Sequence, residues 1–493
     1  MMDGKIERMP YSPVLVIGGG LAGMYAALAA AEAGERVTVL CKSRTGGSGN
    51  SVVAMSVHRF APDAPGLRED YRRRFLASGA GEQDPETAAF FVDRAAGEME
   101  RLRRYGFPLE YRCLEENGGE YPYLACCRPK RGRILTTAVR ARLETMDNIR
   151  LEDRTAVCDV VTDNGRAVGV LAERGGRLQY WPAGAVILAC GGAGNVYAAT
   201  SNTSDVTGDG YAMAVWAGLP LRGMEFVQFY PYRIYSPRRA DIFPDIFEHG
   251  TVFRNEKGER FMDDPRYPKK ELENRDVVAR AMFWQKEVRL DLSGCDMAYL
   301  ERECPNIAAM AREKPDEPMR LRPVAHFFMG GVPLRKDAST DVKGLFVCGE
   351  VTGGLHGANR LAGSALTETV VFGRIAGESA AGADKAPDGW PEAAVRAALA
   401  DYPAPGADAV RDLKDELREV MWRQVSVVRE RDGMETALRE IGRIRRELAD
   451  RRPADLRAWM EVRNLCITAD HVAQAALART ESLGAHYRAD AAE

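Results

Sequence analysis

The segment at residues 14–42 constrains the fold of this chain more than any other. It starts with the apolar run Val14–Ile17, continues through GGGLAG at residues 18–23 and an alanine-rich stretch, and ends in a second apolar run, Arg36–Cys41. In a strand–turn–helix–strand unit, GxGxxG spacing permits a tight turn, close backbone approach to a pyrophosphate, and close packing of helix on strand. The segment therefore predicts a parallel α/β sheet with a dinucleotide at its edge.

The end of the second strand bears on which dinucleotide binds. NAD-binding folds place an Asp or Glu there for the ribose hydroxyls, whereas this strand ends Leu40-Cys41-Lys42-Ser43. That ending weakens the case for NAD and favours a flavin dinucleotide. Two later segments repeat the glycine-rich pattern: Val186–Ala189 runs into CGGAG at residues 190–194, and TGDG at residues 207–210 precedes an apolar helix.

Residues 344–374 contain a second crossover from strand to helix. The apolar run Leu345–Cys348 stops at Gly349-Glu350, and a helical pattern starts near Leu361. His356, Asn359 and Arg360 lie between them, where backbone donors and the helix dipole favour an anionic ligand. The pattern predicts a site that binds a carboxylate beside the cofactor.

Composition limits the function classes. The 493 residues suffice for two or three domains, and a net charge of −3 gives no reason to expect a nucleic-acid partner. The ten cysteines have no CxxC or CxxCH spacing, so neither an iron–sulfur cluster nor a c-type haem is predicted, and no metal site is expected. Electrons must come from another molecule. We interpret the vicinal Cys126-Cys127 pair as two reduced thiols.

The N-terminal segment and the hydropathy pattern bear on location. MMDGKIERMP has an acid where a signal peptide needs apolar residues, and no run approaches the roughly 18 apolar residues of a membrane span. We therefore expect a cytoplasmic protein with no transmembrane segment.

A set of motifs, in order from Val14 to Tyr487, resembles the flavoprotein subunit family of succinate dehydrogenase, fumarate reductase and L-aspartate oxidase. The motifs are GGGLAG at 18–23, LCKS at 40–43, ILACGGAG at 187–194, TGDGYAMA at 207–214, MEFVQFYP at 224–231, GERFM at 258–262, RDVVAR at 275–280, AHFFMGG at 325–331, GLFVCGE at 344–350, HGANRLAG at 356–363 and RTESLGAHY at 479–487. The length of the chain resembles aspartate oxidase more than the longer respiratory subunits.

The resemblance implies an α/β fold in three parts. They are a discontinuous Rossmann-like FAD-binding domain at 1–225 and 325–385, an inserted α+β capping domain at 226–324, and a C-terminal three-helix bundle at 386–493. Apolar residues spaced three and four apart, as at Leu438, Ile441, Ile444 and Leu448, give the last part helices with one apolar face.

The resemblance also assigns catalytic roles. Arg360 and His326 would hold a substrate carboxylate, since a planar guanidinium binds carboxylate through two charge-assisted bonds. Arg275 would be the proton donor and acceptor. A guanidinium hardly loses its proton, so Arg275 must work as a relay that takes one proton as it gives another. The relay acid is open between Glu248 and Asp245.

One departure from the family concerns the substrate. MEFVQFYP has Tyr230-Pro231-Tyr232 where the family usually has His-Pro-Thr, and that His binds the second carboxylate. A phenol carries no positive charge at neutral pH. We therefore expect a small carboxylic acid substrate other than simple fumarate or succinate. The alternative is a neutral exchange, in which Tyr230 does the work of the His.

The cofactor contacts follow from the resemblance, position by position. They are Gly18, Gly20, Gly23, Cys41, Lys42, Ser48, Asn50, Ser51, Ala54, Ala189, Cys190, Gly191, Asp209, Glu350, Ser364 and Leu366. Respiratory members carry a flavin-linked His where this chain has Asn50. An amide cannot form that link, so non-covalent FAD is predicted.

Two alternatives to this function stay open. L-aspartate oxidase needs a group for the amino nitrogen, and its Glu-Gly-Gly-His-Ser segment reads EENGGEY at residues 115–121 here, with Glu116 or Glu120 as replacements. An electron-transfer flavoprotein without turnover of small acids is the other. The external electron donor or acceptor is undetermined among a ferredoxin, an iron–sulfur protein, a quinone and oxygen.

Overall fold

The computed structural model describes residues 6–63, 65–112, 115–116, 119–120, 124–126 and 132–491. The predictions on Glu116, Glu120 and the Cys126-Cys127 pair fall on side chains outside this description.

Strands and helices are mixed through most of the chain, and helices dominate its last fifth. The strands are β1 (Glu7–Arg8), β2 (Ser12–Ile17), β3 (Val37–Cys41), β4 (Val57–Arg59), β5 (Glu110–Arg112), β6 (Glu115–Glu116), β7 (Gly119–Glu120), β8 (Leu124–Cys126), β9 (Ile149–Asp153), β10 (Ala156–Asp163), β11 (Arg166–Arg174), β12 (Arg177–Leu188), β13 (Val227–Ser236), β14 (Ala240–Asp241), β15 (Val252–Asn255), β16 (Val288–Asp291), β17 (Arg320–Phe328), β18 (Val332–Pro333), β19 (Leu345–Val347) and β20 (Thr352–Gly353). The helices are α1 (Leu21–Glu32), α2 (Asn50–Val53), α3 (Pro65–Ser78), α4 (Pro85–Arg104), α5 (Gly132–Glu144), α6 (Asp209–Trp216), α7 (Arg275–Phe283), α8 (Met297–Glu303), α9 (Pro305–Glu313), α10 (Ser364–Gly382), α11 (Glu392–Ala398), α12 (Arg411–Gln424), α13 (Arg431–Asp450) and α14 (Leu456–Ala478).

The long strand β12 joins two kinds of sheet. Its first half pairs antiparallel with β11, and its second half pairs parallel with β2 on one side and β19 on the other. The parallel part continues from β2 to β3 and β9. The carboxyl ends of β2, β12 and β19 therefore meet at one edge, where ligands bind in open α/β sheets.

Helix α1 is buried along nearly its whole length, and half of its twelve residues are alanines, which allow close packing. Helix α10 packs on it through glycines four residues apart. A Cβ at Gly373 would lie 2.7 Å from the Ala22 carbonyl oxygen, and one at Gly377 would lie 2.2 Å from that of Ala26. Only glycine permits this approach, which fixes the loop before α10 against the glycine turn.

A second, antiparallel sheet covers the sheet edge. Its strand order is β14-β13-β17-β16-β15, and its core contains aromatic and aliphatic side chains that include Tyr230, Tyr232, Phe253 and Met282. Helix α7 packs against β13 and β17. This places the first residue of α7, Arg275, over the strand that carries Tyr230.

The predicted fold class is confirmed: the chain has a parallel-sheet α/β core and a C-terminal helical region. The residue boundaries of the three predicted domains stay a prediction. Within the described ranges, no helix is both long and apolar enough to cross a membrane.

We predict opposite effects for the same substitution at two helical glycines. Gly377→Ala should destabilise the protein by about 1–3 kcal/mol, because the new methyl group overlaps the Ala26 carbonyl. Gly97→Ala on α4 is the matched control; nothing lies within 4 Å of its added Cβ, so it should stabilise by about 0.5–1 kcal/mol. Thermal unfolding of the FAD-loaded proteins measures both. An unchanged midpoint for Gly377→Ala would show that α10 does not pack on α1 this closely.

Candidate active site

One cleft of about 990 Å³ runs from the glycine turn at the sheet edge to the covering sheet. Most of the predicted site residues line it. On the cofactor side these are Gly18, Gly20, Cys41, Lys42, Ser48, Asn50, Ser51, Ala54, Ala189, Cys190, Gly191, Asp209, Glu350 and Leu366; on the substrate side they are Tyr230, Glu248, Arg275, His326 and Arg360.

Two predicted cofactor residues lie behind the lining. Gly23 packs against the turn, where a Cβ would come within 2.0 Å of the Gly18 carbonyl oxygen. Ser364 is buried, and its hydroxyl lies 3.1 Å from that of Tyr71. Both positions therefore support the backbone of the cleft instead of lining it.

The glycine turn has the geometry expected for a pyrophosphate. Gly18 has φ of +115°, and a Cβ there would lie 2.2 Å from the Ala189 carbonyl oxygen. The turn leads directly into α1, whose Leu21 N–H donates to Ser51 Oγ at 3.1 Å. Free backbone donors at a helix N-terminus favour a phosphate.

A buried charge cluster closes the adenosine side of the cleft. Lys42 Nζ donates to Asp209 Oδ2 at 2.8 Å and lies 3.3 Å from Glu461 Oε1. Burial alone would raise the pKa of Asp209, but Lys42 and the amide of Asn464 hold this pKa below its usual value. Glu461 and Asn464 come from α14, a contribution that no sequence motif indicated.

Asn50 and Glu350 meet at the middle of the cleft. Asn50 Nδ2 donates to Glu350 Oε2 at 3.1 Å and to Asn202 Oδ1 at 3.0 Å, while Asn50 Oδ1 is buried and has no partner among the described atoms. Burial raises the pKa of Glu350 to about 7. An unsatisfied buried acceptor costs about 1–3 kcal/mol, so this oxygen fits a donor on a ligand.

These residues fit FAD. The glycine turn and the N-terminus of α1 suit its pyrophosphate, the cluster around Lys42 lies at the end of β3 where a ribose binds, and Asn50 offers a free acceptor in the middle of the cleft. When bound, FAD supplies the exchange of a hydride at its isoalloxazine ring.

Two guanidinium groups share one amide oxygen at the other end of the cleft. Gln228 Oε1 accepts from Arg360 Nη2 at 2.8 Å and from Arg275 Nη1 at 3.0 Å. The Gln228 amide nitrogen donates to Asn359 Oδ1 and to the Arg360 carbonyl oxygen, which fixes which end of the amide faces the guanidiniums. Gln228 thus sets the spacing of the two arginines.

The strand period explains this placement. Gln228, Tyr230 and Tyr232 all line the cleft, because residues two apart on β13 point to the same face. Sequence reasoning identified the segment MEFVQFYP but missed the role of Gln228. Its position two residues before Tyr230, on the same face of the strand, was the signal that could have identified this role.

Arg360 is buried and only partly satisfied. Its Nε has no hydrogen-bond partner in the described structure, and its Cζ lies 4.5 Å from the centre of the Phe327 ring. Burial and the nearby charge of Arg275 lower the pKa of Arg360. A buried cation this close to a second, half-buried cation favours an anion between them.

His326 lies beside the guanidiniums as a neutral ring. Burial, with the charges of Arg360 and Arg275, holds the pKa of His326 well below its usual value. Its Nδ1 lies 2.8 Å from Ser201 Oγ. If the Ser201 hydroxyl donates to Nδ1, the imidazole proton stays on Nε2 and can be donated to a carboxylate.

Tyr230 presents its ring and not its hydroxyl to this group. The hydroxyl donates to the Ile242 carbonyl oxygen. The ring stacks on His326 with centroids 4.8 Å apart, and Arg275 Cζ lies 5.0 Å from the ring centre. A cation over an aromatic face is stabilised. Tyr230 therefore positions Arg275 and His326, and its donor is already used.

Neither candidate for the relay acid forms an ion pair with Arg275 in the part of the chain that the structure describes. Among the described residues, no carboxylate forms an ion pair with Arg275; its neighbour Asp276 pairs with Arg280 at 2.9 Å instead. Glu248 and Asp245 line the cleft on the 3₁₀ segment Pro244–His249, and Glu248 is exposed.

The histidine of the HGANR segment has a structural position. His356 Nε2 lies 2.9 Å from Glu368 Oε2, and both side chains are buried outside the cleft lining. The crossover therefore places Arg360 in the cleft and His356 outside its lining, and the histidine that lines the cleft, His326, comes from β17.

The fold and cleft together define an FAD-dependent oxidoreductase. The model of the FAD binding domain family matches residues 13–366, and that of the fumarate reductase flavoprotein C-terminal family matches residues 414–493. The chain belongs to the succinate dehydrogenase and fumarate reductase flavoprotein family, as its motifs predicted, and FAD is its cofactor.

Relatives with two activities lie at similar distance. One polypeptide of the CoM/CoB fumarate reductase of Methanothermobacter marburgensis is 33% identical over 97% of this chain and 94% of that protein. An L-aspartate oxidase of Halobacterium salinarum is also 33% identical, over 97% of this chain and 96% of that protein. The Escherichia coli quinol fumarate reductase structure aligns with a TM-score of 0.88 at 28% identity, covering 98% of this chain and 92% of that one. Sequence identity therefore does not distinguish between these two activities.

We predict that the FAD is not covalently attached. An amide nitrogen is a poor nucleophile, and that of Asn50 is already bonded to Asn202 and Glu350. Acid precipitation of the holoprotein should leave a colourless pellet and a yellow supernatant. Flavin fluorescence that stays with the polypeptide on a denaturing gel would contradict this.

Proposed function

We propose that this protein moves a hydride between FAD and a carbon–carbon bond beside a carboxylate, on an acid other than fumarate or succinate. The observation that carries the proposal is the shared contact of Arg275 and Arg360 with Gln228 Oε1. It places two cations, the buried Arg360 and the half-buried Arg275, at the end of the cleft opposite the glycine turn.

Arg360 and His326 hold the carboxylate in this proposal. The Nε of Arg360 has no partner among the described atoms and is an available donor. The Nε2 of His326 is a second donor when the Ser201 hydroxyl donates to Nδ1. Charge-assisted bonds from a planar guanidinium fix the plane of the carboxylate. Since His326 is neutral, its proton contributes a hydrogen bond without a second buried charge.

Arg275 transfers the proton in this proposal. Reduction adds a hydride at one carbon of the double bond and a proton at the other, and oxidation removes both. The charge of Arg360 and the cation–π contact with Tyr230 constrain the half-buried Arg275 guanidinium. Gln228 holds it, and no carboxylate among the described residues forms an ion pair with it. Asp245 and Glu248 are the candidates for returning the proton, since both line the same cleft.

The Tyr230 geometry supports a substrate with one carboxylate at this site. In the family a His at this position binds a second carboxylate. Here the Tyr230 hydroxyl is hydrogen-bonded to the Ile242 carbonyl oxygen, so the Tyr230 side chain offers the substrate neither a charge nor a free donor. This favours an uncharged group at that end and speaks against the neutral exchange of His for Tyr.

L-aspartate oxidation is the second candidate, supported by the 33% identical oxidase. It needs a partner for the amino nitrogen, and the segment predicted to supply one has no described side chains. Release of ammonia from L-aspartate, measured beside reduction of enoates, separates the two. Either reaction needs an external electron donor or acceptor. We propose that the protein acts in the cytoplasm.

We predict that Arg275→Ala abolishes turnover and keeps FAD. Loss of a positioned proton donor costs about 10²–10⁴-fold in rate, so acid-dependent reoxidation of the dithionite-reduced flavin in anaerobic stopped flow should fall by that amount. Arg312→Gln, an exposed arginine of the same part of the chain, is the control and should be unchanged. A rate above one tenth of the wild-type rate in Arg275→Ala would show that Arg275 is not the proton donor.

We predict that Tyr230→His shifts substrate preference towards dicarboxylates. An imidazole N–H can donate to a second carboxylate, so kcat/KM for fumarate relative to crotonate should rise at least tenfold, about 1.4 kcal/mol. Tyr230→Phe loses the bond to Ile242 but gains no donor, and its ratio should match wild type. The idea fails if the wild-type enzyme already prefers fumarate.

A further inference from the structure

A second cavity, of about 580 Å³, lies between the covering sheet and the C-terminal helices. Its wall combines β13, β17, the loop that follows β12, and helices α12 and α14. We call it the basic pocket. Its lining contains six cationic side chains, those of Arg233, Arg239, Arg322, Arg411, Lys414 and Arg418.

Helix α12 contributes one charged face to the basic pocket. Arg411, Lys414, Asp415 and Arg418 are spaced three and four residues apart, which places them on one side of a helix. The first turn of α12 also lines the pocket, through Val410 and Arg411. In the described structure, no side chain caps the backbone N–H groups of this turn. Uncapped backbone donors beside arginines are typical of phosphate sites.

The cations of the basic pocket exceed its acids. Asp415 lies near Arg411 and Arg418, at 3.6 and 3.5 Å, and Lys414 pairs with Glu461 at 2.8 Å. Asp241 pairs with Arg233 at 2.6 Å.

Arg239 and Arg322 form no ion pair with any residue that the structure describes. Arg322 lies 5.2 Å from the ring of Tyr235, and both arginines are exposed. Two uncompensated guanidiniums in a concave site favour a bound anion.

The basic pocket adjoins the machinery of the active-site cleft. Asn202 lines both cavities and donates from Nδ2 to the His326 carbonyl oxygen at 2.9 Å. Its neighbour Ser201 contacts the His326 ring at 2.8 Å. Arg233 lines the basic pocket, while its partner Asp241 lines the cleft. An anion that contacts Arg233 or residues 200–202 therefore changes the interactions of the residues around His326.

We propose that the basic pocket binds a small molecule carrying at least two phosphate groups, and that its occupancy changes the affinity of the cleft for the acid. Arg239, Arg322 and the N-terminus of α12 hold the phosphates. The pocket is concave and too large for one phosphate alone, which favours a small polyanion over the flat face of a protein partner. The binding claim does not depend on the proposed reaction.

The test uses inorganic pyrophosphate with the FAD-loaded protein, so that the cofactor site is filled. Calorimetry should detect binding to wild type, and Arg239→Gln/Arg322→Gln should weaken it at least tenfold. Arg423→Gln/Arg439→Gln removes the same charge from exposed positions outside the pocket and should change affinity less than twofold. Equal weakening by both pairs, or no binding by wild type at millimolar concentration, overturns the site.

The coupling has its own readout. Saturating pyrophosphate should change the Kd of crotonate, followed by flavin absorbance, at least threefold in wild type and not in Arg239→Gln/Arg322→Gln. Binding without this change overturns the coupling alone. If pyrophosphate does not bind but the double variant slows flavin reduction by reduced ferredoxin, the surface docks an acidic protein and the proposal is wrong.

Discussion

The active site depends on one carbonyl oxygen, that of the Gln228 side chain, which two arginines share. Like charges repel strongly in a low-dielectric site, and a neutral amide oxygen is the group that lets both stay near each other without neutralising either. A carboxylate in its place would satisfy the guanidiniums permanently. The amide instead leaves the pair ready for a carboxylate from a substrate.

The tyrosine next along the strand completes this arrangement. Its ring lies against both His326 and Arg275, and its hydroxyl is bonded to the backbone. The substrate side of the cleft thus has one cationic group, formed by Arg275 and Arg360, and the Tyr230 ring forms an uncharged wall beside it. At the opposite end, Lys42 and Asp209 are held by residues of the last long helix, so the C-terminal helices support the cofactor side while the covering sheet supports the substrate side.

Local patterns, together with the resemblance of the motifs to a known family, were sufficient to predict the fold class and the FAD cofactor. The turn at Gly18, the carboxyl ends of β2 and β12 and the helix spacing after residue 410 each follow from near neighbours in the chain. Contacts between distant segments could not be read this way. Glu461 and Asn464 reach Lys42 and Asp209 from α14, and His356 pairs with Glu368 although its motif favoured a carboxylate site. The role of Gln228 could not be predicted without the positions of Arg275 and Arg360, which both contact its side chain.

The most direct test is a crystal structure of the FAD-loaded protein with crotonate. The account predicts carboxylate oxygens within about 3 Å of the Arg360 guanidinium, with the methyl end towards the Tyr230 ring and the Gln228 amide still between the two arginines. A carboxylate bound against Tyr230, or one bound elsewhere in the cleft with the arginine pair untouched, would contradict it.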